Sequence, residues 1–226
     1  MKNLFIKLYK FIYSIRHGFC LLGYAVMGLI FQLMEKVNVK VDTWISCSFD
    51  SQIPFINVFV IPYILWFWFV FMILAVLVLK DKDGLYKACA TIYIGMSISF
   101  IVYWIYPHGQ PLRVPLTGME KNVFDRLVYY IYAHDTPTNT LPSIHVLNSM
   151  AVNFALQSSP FFKKRIGIRI GSHVINILII MSTVLIKQHS ILDVVAAVIL
   201  AYIIRFVVYY IDWKQFFIKK PLESNA

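Results

Sequence analysis

The chain has 226 residues, of which 59% are hydrophobic and 14% charged, and its mean hydropathy is +0.69. A soluble domain carries about 25% charged residues, so this composition excludes an ordinary soluble protein and indicates an integral membrane protein. The net charge of +10 does not indicate a nucleic-acid partner, because the basic residues cluster at the ends of apolar segments.

Six apolar stretches are long enough, or nearly so, to cross a hydrocarbon core that requires ~20 residues per helix. They are 18–34, 55–79, 88–106, 144–159, 172–187 and 191–211. The first follows a basic segment, as in a signal peptide, but "GYAVMGLIFQLMEK" has no small-residue cleavage site, which favours a retained anchor. The fourth is interrupted by polar residues such as Asn148 and Asn153, a pattern that a helix facing its own bundle tolerates.

The basic residues indicate the orientation of these spans. With the N-terminus in the cytoplasm, fifteen of the 21 Lys and Arg residues fall on inner segments and six on outer segments. This bias follows the positive-inside rule and places both termini in the cytoplasm. We therefore predict one all-α domain over residues 1–226, a polytopic membrane protein with six transmembrane helices in a bundle, in contact with membrane lipids.

Between the third and fourth spans, residues 121–135 predict a short helix. Apolar residues recur there at spacings of three and four, as at Val123, Leu127 and Ile131. Such a helix would lie either in the membrane interface or packed over the bundle. His108 and His134, in the flanking loops, are predicted to be surface histidines.

His189 and Asp193, four residues apart at the start of the last span, lie on one helix face. A carboxylate at this spacing can accept the imidazole Nδ1–H and leave Nε2 free as a nucleophile or base. The alternative is structural, since Ser190 and Asp193 also fit a capping box.

His145 follows Pro142 and Ser143 at the start of the fourth span. Ser143 is a natural N-cap, and the free amides of the first turn attract an anion. A histidine placed there can protonate a leaving oxygen, or it can simply contact lipid head groups.

Arg113 and Lys187 add permanent positive charge on the same outer side. Each alone is typical of an interface anchor. Together with two histidines, a carboxylate and a helix N-terminus, they indicate phosphoryl transfer without a metal, because something must stabilise the charge on the phosphoryl oxygens.

"PSIH" and "STVLIKQHSILD" resemble the second and third signatures of the type 2 phosphatidic acid phosphatase (PAP2) superfamily, written P-S-G-H and S-R-x5-H-x3-D. The first signature, K-x6-R-P, is partly matched in "YPHGQPLRVPL", where Tyr106 replaces the lysine and Val114 separates Arg113 from Pro115. Ile144 and the loop "HDTPTNTLPSIH" resemble a bacterial branch near inositol phosphorylceramide synthases.

The resemblance implies that His189 attacks phosphorus to form a phosphohistidine, with Asp193 orienting it. His145 would protonate the leaving group and then activate water. Ser143, Ile144 and Arg113 would surround the phosphoryl oxygens, with neither metal nor cofactor. Thr183 stands where the third signature has arginine, and we predict that Lys187 restores that charge. Asp135 and Asn139 position the site or act only as turn residues.

The sequence thus predicts a lipid phosphatase of the bacterial plasma membrane, with its active site facing outside. Its substrate would be a phospholipid or isoprenoid phosphate, such as undecaprenyl diphosphate, phosphatidate or phosphatidylglycerophosphate. The alternatives are a lipid phosphotransferase and a non-catalytic lipid-binding or transport protein of the same fold.

Overall fold

The computed structural model describes residues 6–7, 9–10, 13–37, 41, 43–115 and 122–212. In chain order, the elements are a 3-10 turn at Arg16–Leu21 and α1 at Leu22–Val37, β1 at Thr43–Trp44, α2 at Ser48–Gln52, a 3-10 turn at Asn57–Phe59, α3 at Val60–Lys80 and α4 at Lys82–Ile105. They continue with β2 at His108–Gly109, α5 at Val123–His134, α6 at Ile144–Ser158, α7 at Ile166–Leu185 and α8 at Ile191–Tyr210. The terminal segments 1–5 and 213–226 lie outside the described residues, so the predicted cytoplasmic termini stay a prediction.

Five helical segments are long and apolar enough to cross a membrane. They are Arg16–Val37, Asn57–Lys80, Lys82–Ile105, Ile166–Leu185 and Ile191–Tyr210. These segments match five of the predicted spans, although some begin earlier than predicted. α4 starts at Lys82 rather than at 88, because the Asp81 side chain accepts a hydrogen bond from Gly84 N at 2.9 Å and caps the helix there.

The remaining predicted span, 144–159, forms α6. With 15 residues, this helix is shorter than the ~20 residues that a hydrocarbon core requires. It packs against α3, α4, α7 and α8, and twelve of its residues are buried. α6 is therefore a central helix whose polar residues face other helices, as the pattern predicted, and its crossing of the membrane stays a prediction.

Contacts between helices define two ends of the molecule. His145, at the start of α6, packs against Tyr63 and Trp66 near the start of α3. At the other end, His17 Nε2 is 2.8 Å from Val78 O, near the last turn of α3. Gln157 Nε2 donates to Arg169 O at 2.9 Å there, which joins the end of α6 to the start of α7. We call this second end, which carries Lys80, Lys82, Lys163, Lys164 and Arg165, the basic end.

The opposite end, which contains His145, is covered by the connecting segments. β1 and β2 pair in parallel, with Thr43 opposite His108 and Trp44 opposite Gly109. α5 lies over α3, because its Val128 is fully buried in a cluster with Val60, Tyr63 and Ile186. The helix begins at Val123, after its Asn122 cap, and packs over α3 as one of the two alternatives predicted, whereas its position relative to the membrane interface stays a prediction.

Candidate active site

His189 and Asp193 are in contact where α8 begins. His189 Nδ1 is 3.2 Å from Asp193 Oδ2, and both side chains are buried. A carboxylate only accepts hydrogen bonds, so Nδ1 carries the proton and donates. In the neutral ring this leaves the lone pair on Nε2, which is the arrangement that a nucleophilic or basic histidine requires.

The same carboxylate also caps α8. Ser190 is the N-cap, its hydroxyl accepts from Leu192 N at 3.2 Å, and its own N donates to Asp193 Oδ2 at 3.0 Å. The two interpretations of Asp193, helix cap and partner of His189, are therefore compatible, since one oxygen accepts both hydrogen bonds.

His145 lies beside His189 although the two are 44 positions apart. Their ring centroids are 5.7 Å apart and the rings meet edge to face. Tyr63 and Trp66 hold the His145 ring from α3, at centroid distances of 4.8 and 4.4 Å. Ser143 caps α6 by accepting from Val146 N at 3.4 Å, and His145 Nδ1 has no hydrogen-bond partner among the described residues.

A small cavity of about 10 Å³ lies at the two histidines. Its lining brings together five residues predicted for the site: His145, His189, Asp135, Asn139 and Ile144. This volume holds about one water molecule. A phosphate group therefore enters only if lining side chains, such as Phe31 on α1, move aside.

Asp135 reaches the site through its carboxylate. Its Oδ2 accepts from Tyr63 OH at 2.9 Å and from Gln188 Nε2 at 3.1 Å. Burial raises the pKa of this carboxyl above its usual range, although the hydrogen bond from Tyr63 and the charge of Arg113 oppose the shift. The position of Asp135 thus fixes Gln188, the residue immediately before His189.

Arg113 binds the same glutamine. Its Nε and Nη2 donate to Gln188 Oε1 at 3.0 and 2.6 Å. Nη1 donates to Tyr132 O at 2.9 Å and Nη2 to Asp135 O at 2.6 Å. Four of the hydrogen bonds that a guanidinium can donate are thus directed at protein atoms, and Arg113 holds the chain next to the histidine rather than presenting a free fork to a phosphate.

Lys187 binds two backbone carbonyls near α2. Its Nζ donates to Asp50 O at 2.8 Å and to Ile53 O at 2.5 Å, so two of its three donors bind the segment that includes α2. Its backbone has a positive φ of 59°. The predicted replacement of the missing arginine by Lys187 stays a prediction, and its present contacts are those of a residue that fixes a turn.

Asn139 and Ile144 bracket the turn that enters α6. Asn139 has a φ of 55°, in the left-handed region that asparagine tolerates, and its N donates to His108 O at 2.9 Å. Ile144 is 7% exposed and belongs to the main apolar cluster. Both side chains line the small cavity, so each contributes to the shape of the site.

The prediction that His108 is a surface histidine is wrong, because its side chain is fully buried. Its Nδ1 lies 2.6 Å from Tyr106 O, and its Nε2 accepts from Leu141 N at 2.7 Å. One ring nitrogen faces an acceptor and the other a donor, so only the neutral ring with the proton on Nδ1 fits both. Burial lowers its pKa below the usual value. His134 is exposed, as predicted.

Three further residues join the site although the sequence analysis did not name them. Gln188 lies inside the x5 of the third signature, and Gln110 lies inside the x6 of the first. Gln110 Nε2 donates to Lys187 O at 3.0 Å and to Gln188 O at 3.3 Å. Asp50 accepts from Ser190 Oγ at 2.7 Å and from Ile191 N at 2.8 Å. The positions of Gln188 and Gln110 inside the two signatures could have identified them. Asp50 lies far from both signatures in the chain, and no sequence pattern pointed to it.

A larger cavity adjoins the small one. Its volume is about 540 Å³, and it lies between α1, α3, α4 and α6, with His145, Ile144, Asp135 and Phe31 shared between the two cavities. Among its other lining residues, Ala25, Trp66, Phe67 and Met96 are apolar, and Gln32, Glu35, His134 and Asn148 are polar. A molecule with a phosphate at the histidines would therefore have a partly apolar space next to that phosphate.

The family model described as the PAP2 superfamily matches residues 29–207, which include all of the residues predicted for the site. No curated protein and no solved structure matches the chain. The superfamily resemblance is thereby confirmed, and the assignment to a bacterial branch near inositol phosphorylceramide synthases stays a prediction.

Proposed function

The chain belongs to the PAP2 superfamily, whose members are generally phosphatases and phosphotransferases, and from this premise we propose that it is a membrane lipid phosphatase. It hydrolyses a lipid phosphomonoester or pyrophosphate without a metal, through a phosphohistidine. The observation that carries the proposal is the edge-to-face contact of His145 and His189, at a centroid distance of 5.7 Å, with Asp193 bonded to the second histidine.

In the first step, His189 Nε2 attacks phosphorus, a P–N bond forms and the P–O bond to the lipid breaks. His145, on the other side of the cavity, gives its proton to the leaving oxygen. Asp193 accepts from Nδ1 and stabilises the charge that develops on the His189 ring. In the second step, His145 takes a proton from water, whose oxygen attacks phosphorus, so that the P–N bond breaks and inorganic phosphate leaves.

Ser143, Ile144, Asn139 and Asp135 are proposed to form the walls around the phosphoryl group. Arg113 acts through Gln188, since it holds this residue by two hydrogen bonds. The first-turn amides of α6 supply further donors to the phosphoryl oxygens. Lys187 remains a proposed source of positive charge, with one ammonium proton not used by the two carbonyls.

The lipid nature of the substrate is supported by the apolar cavity of about 540 Å³ beside His145 and by the five apolar helices long enough to cross a membrane. We propose that α6 is the sixth span, that both termini are cytoplasmic and that the histidines face the outer side of a bacterial plasma membrane. Phosphatidate, phosphatidylglycerophosphate and undecaprenyl diphosphate are the candidate substrates.

The test is phosphate release from a panel of these lipids by purified protein in the presence of EDTA. Wild type is expected to release phosphate with EDTA present, and vanadate is expected to inhibit. His189→Ala should lose at least ~10³-fold, because it removes a covalent nucleophile. His17→Ala is the matched control, since His17 lies at the basic end and its loss should leave the rate unchanged.

Product analysis separates the rival activities. A new phosphodiester formed in the presence of diols or inositol, with little inorganic phosphate, would identify a phosphotransferase instead. Binding of the lipids with neither product, in wild type as in His189→Ala, would reject the catalytic proposal and leave a lipid-binding protein of this fold.

A further inference from the structure

A third cavity, of about 570 Å³, lies between α6, α7 and α8 toward the basic end. Along α6, its lining residue Gln157 is twelve residues from His145, or ~18 Å at 1.5 Å per residue. Along α8, Arg205 is twelve residues beyond Asp193, again ~18 Å. The arginine end of this cavity is therefore remote from the histidines. None of its lining residues also lines the two cavities at the histidines, and the proposed hydrolysis uses none of them.

Two arginines line this cavity, and none of the described lining residues is acidic. Arg169 is held by Gln157, because Arg169 Nε donates to Gln157 Oε1 at 2.9 Å and Gln157 Nε2 donates to Arg169 O at 2.9 Å. This hydrogen bond uses only Nε of Arg169, so its two Nη groups are available to a ligand in the cavity. Arginine at or within an apolar span is costly unless it is paired, so two arginines with no acidic residue among the described lining residues favour an anionic ligand.

Arg205 supports the same conclusion. Its guanidinium carbon lies 4.5 Å from the centre of the Phe154 ring, and its Nη2 donates to the Tyr210 hydroxyl at 3.4 Å, so the half-buried group packs against α6 and against its own helix. Its Nε is buried and has no hydrogen-bond partner among the described residues. A buried donor of this kind costs free energy unless a ligand or water satisfies it.

Asn176 provides an independent observation from α7. Its side chain is 7% exposed, it lines the cavity, and its Oδ1 has no partner among the described residues. The neighbouring Asn153, in contrast, accepts from Ser172 Oγ at 2.7 Å. The cavity thus offers unused arginine donors together with an unused amide acceptor.

We propose that this cavity binds a phosphate group that carries, or lies next to, a hydroxyl. The arginines pair with the phosphate oxygens, since the guanidinium fork matches them, and Asn176 Oδ1 accepts from the hydroxyl. An anionic phospholipid head group and free inorganic phosphate both have this chemistry. Basic pockets between spans near the cytoplasmic side suit the former, and a volume of about 570 Å³ accommodates it.

The test measures binding to the full chain in detergent micelles by calorimetric titration with three probes. These are dihexanoyl phosphatidylglycerol, inorganic phosphate and dihexanoyl phosphatidylcholine. Phosphatidylglycerol is a phosphodiester, so the proposed monoester hydrolysis does not consume it. We expect it to bind, and we expect phosphatidylcholine, whose phosphate carries a cationic choline and no hydroxyl, to bind at least ~10-fold more weakly. Equal affinity for phosphatidylcholine would reject the hydroxyl contact.

Arg169→Gln and Arg205→Gln should each weaken phosphatidylglycerol binding by at least ~10-fold, the usual effect of losing a charge-assisted hydrogen bond. Lys164→Gln is the matched control, since it removes the same charge from the basic end at an exposed position outside the cavity. Should Arg205→Gln fail to fold, Arg169→Gln and Asn176→Ala still each remove one contact. If the arginine variants weaken the binding of inorganic phosphate but not that of phosphatidylglycerol, the ligand is free phosphate.

The proposal is overturned if the arginine variants bind as well as wild type does. It is also overturned if Lys164→Gln weakens binding as much as they do, since that result would show only a general attraction to the basic end. The result is separable from the catalytic proposal, because the variants leave His145 and His189 unchanged. Any binding of inorganic phosphate at the histidines is then common to wild type and variants and cancels in the comparison.

Discussion

At the scale of single residues, Asp193 shows how one side chain serves two purposes. Its Oδ2 accepts from His189 Nδ1 at 3.2 Å and from Ser190 N at 3.0 Å. The sequence pattern fits both a capping box and a histidine–carboxylate pair, and the spacing of four residues cannot distinguish them. The coordinates show that the two hydrogen bonds meet at one oxygen.

Asp193→Asn is expected to lower kcat by ~10²–10⁴-fold, because a carboxamide no longer enforces the proton on His189 Nδ1. Ser190→Ala is the comparison, since it removes the cap, at a cost of about 1 kcal/mol, together with the hydrogen bond from Ser190 Oγ to Asp50, and it leaves the carboxylate on His189. Lipid phosphate hydrolysis and thermal unfolding should be measured for both variants. If the two lose kcat equally, Asp193 acts only as a cap.

His108 predicts a dependence of stability on pH. Burial lowers its pKa from an ordinary value of 6.5, so the unfolded chain takes up a proton at a higher pH than the folded chain does. The free energy of unfolding is therefore not reduced by His108 above pH ~6.5, and it decreases as the pH falls from there toward the lowered pKa of the folded state. Below that pKa, the reduction that His108 causes no longer changes with pH.

His108→Gln tests this directly, since glutamine offers an oxygen to Leu141 N and does not titrate. Its unfolding temperature, measured from pH 7.5 to 5, should fall less than that of wild type. The other histidines are present in both proteins, so they cancel in the comparison. Parallel curves for the two proteins would show that His108 does not take part.

At the scale of secondary structure, α6 decides how the site is assembled. It is buried along most of its length between four longer helices. Some of its polar residues bind neighbouring helices, as when Asn153 Nδ2 lies 3.2 Å from His173 Nδ1 and Gln157 binds Arg169. Because neighbouring helices hold α6, His145 is kept at a fixed position relative to His189. The proposed reaction requires this, since its acid and its nucleophile come from different parts of the chain.

The close approach of α4 and α6 depends on Gly95. A Cβ at this position would meet the side chain of the fully buried Leu147, with Cδ1 at 2.7 Å. Gly95→Ala should destabilise the protein by about 1–3 kcal/mol through overpacking, despite the higher helix propensity of alanine. Thermal or denaturant unfolding measures the effect.

The double variant Gly95→Ala/Leu147→Ala should recover part of the loss relative to the sum of the single variants, since the two side chains compete for one space. Gly171→Ala is the control, because no atom lies within 4 Å of a Cβ built there, and it should be neutral or stabilising. Additive losses in the double variant would show that the contact is not limiting.

At the scale of the whole molecule, the histidines and the basic loops lie at opposite ends. The chain alternates between these ends, so Lys82 and Lys164 share one end although 82 positions separate them. The charge pattern predicts that this end is cytoplasmic. The proposed substrate would then be hydrolysed on the outer side, while the arginine-lined cavity would lie toward the inner side.

Cysteine labelling in intact cells tests this orientation. In a background with Cys20, Cys47 and Cys89 changed to serine, Ala133→Cys should react with a membrane-impermeant maleimide without permeabilisation. Lys164→Cys should react only after permeabilisation. Both positions are exposed, so access to the reagent depends on the side of the membrane. The reverse pattern would place the histidines in the cytoplasm.

The amino-acid sequence by itself determined the class of protein, five helices that are long and apolar enough to span a membrane, and the side chains that are proposed to react. These properties are local, because hydropathy follows from composition and the spacing from Ser182 through His189 to Asp193 is a property of one continuous segment. The family model over residues 29–207 rests on the same information.

Only the tertiary structure decided which of these side chains meet and which do not. In the folded chain, Lys187 binds Asp50 and Ile53, and Arg113 holds Gln188. His108 is buried beneath the turn that enters α6, and Asp50 contacts the start of α8. Each contact joins segments far apart in the chain, and its partner is chosen by the packing of whole helices, which no local pattern encodes.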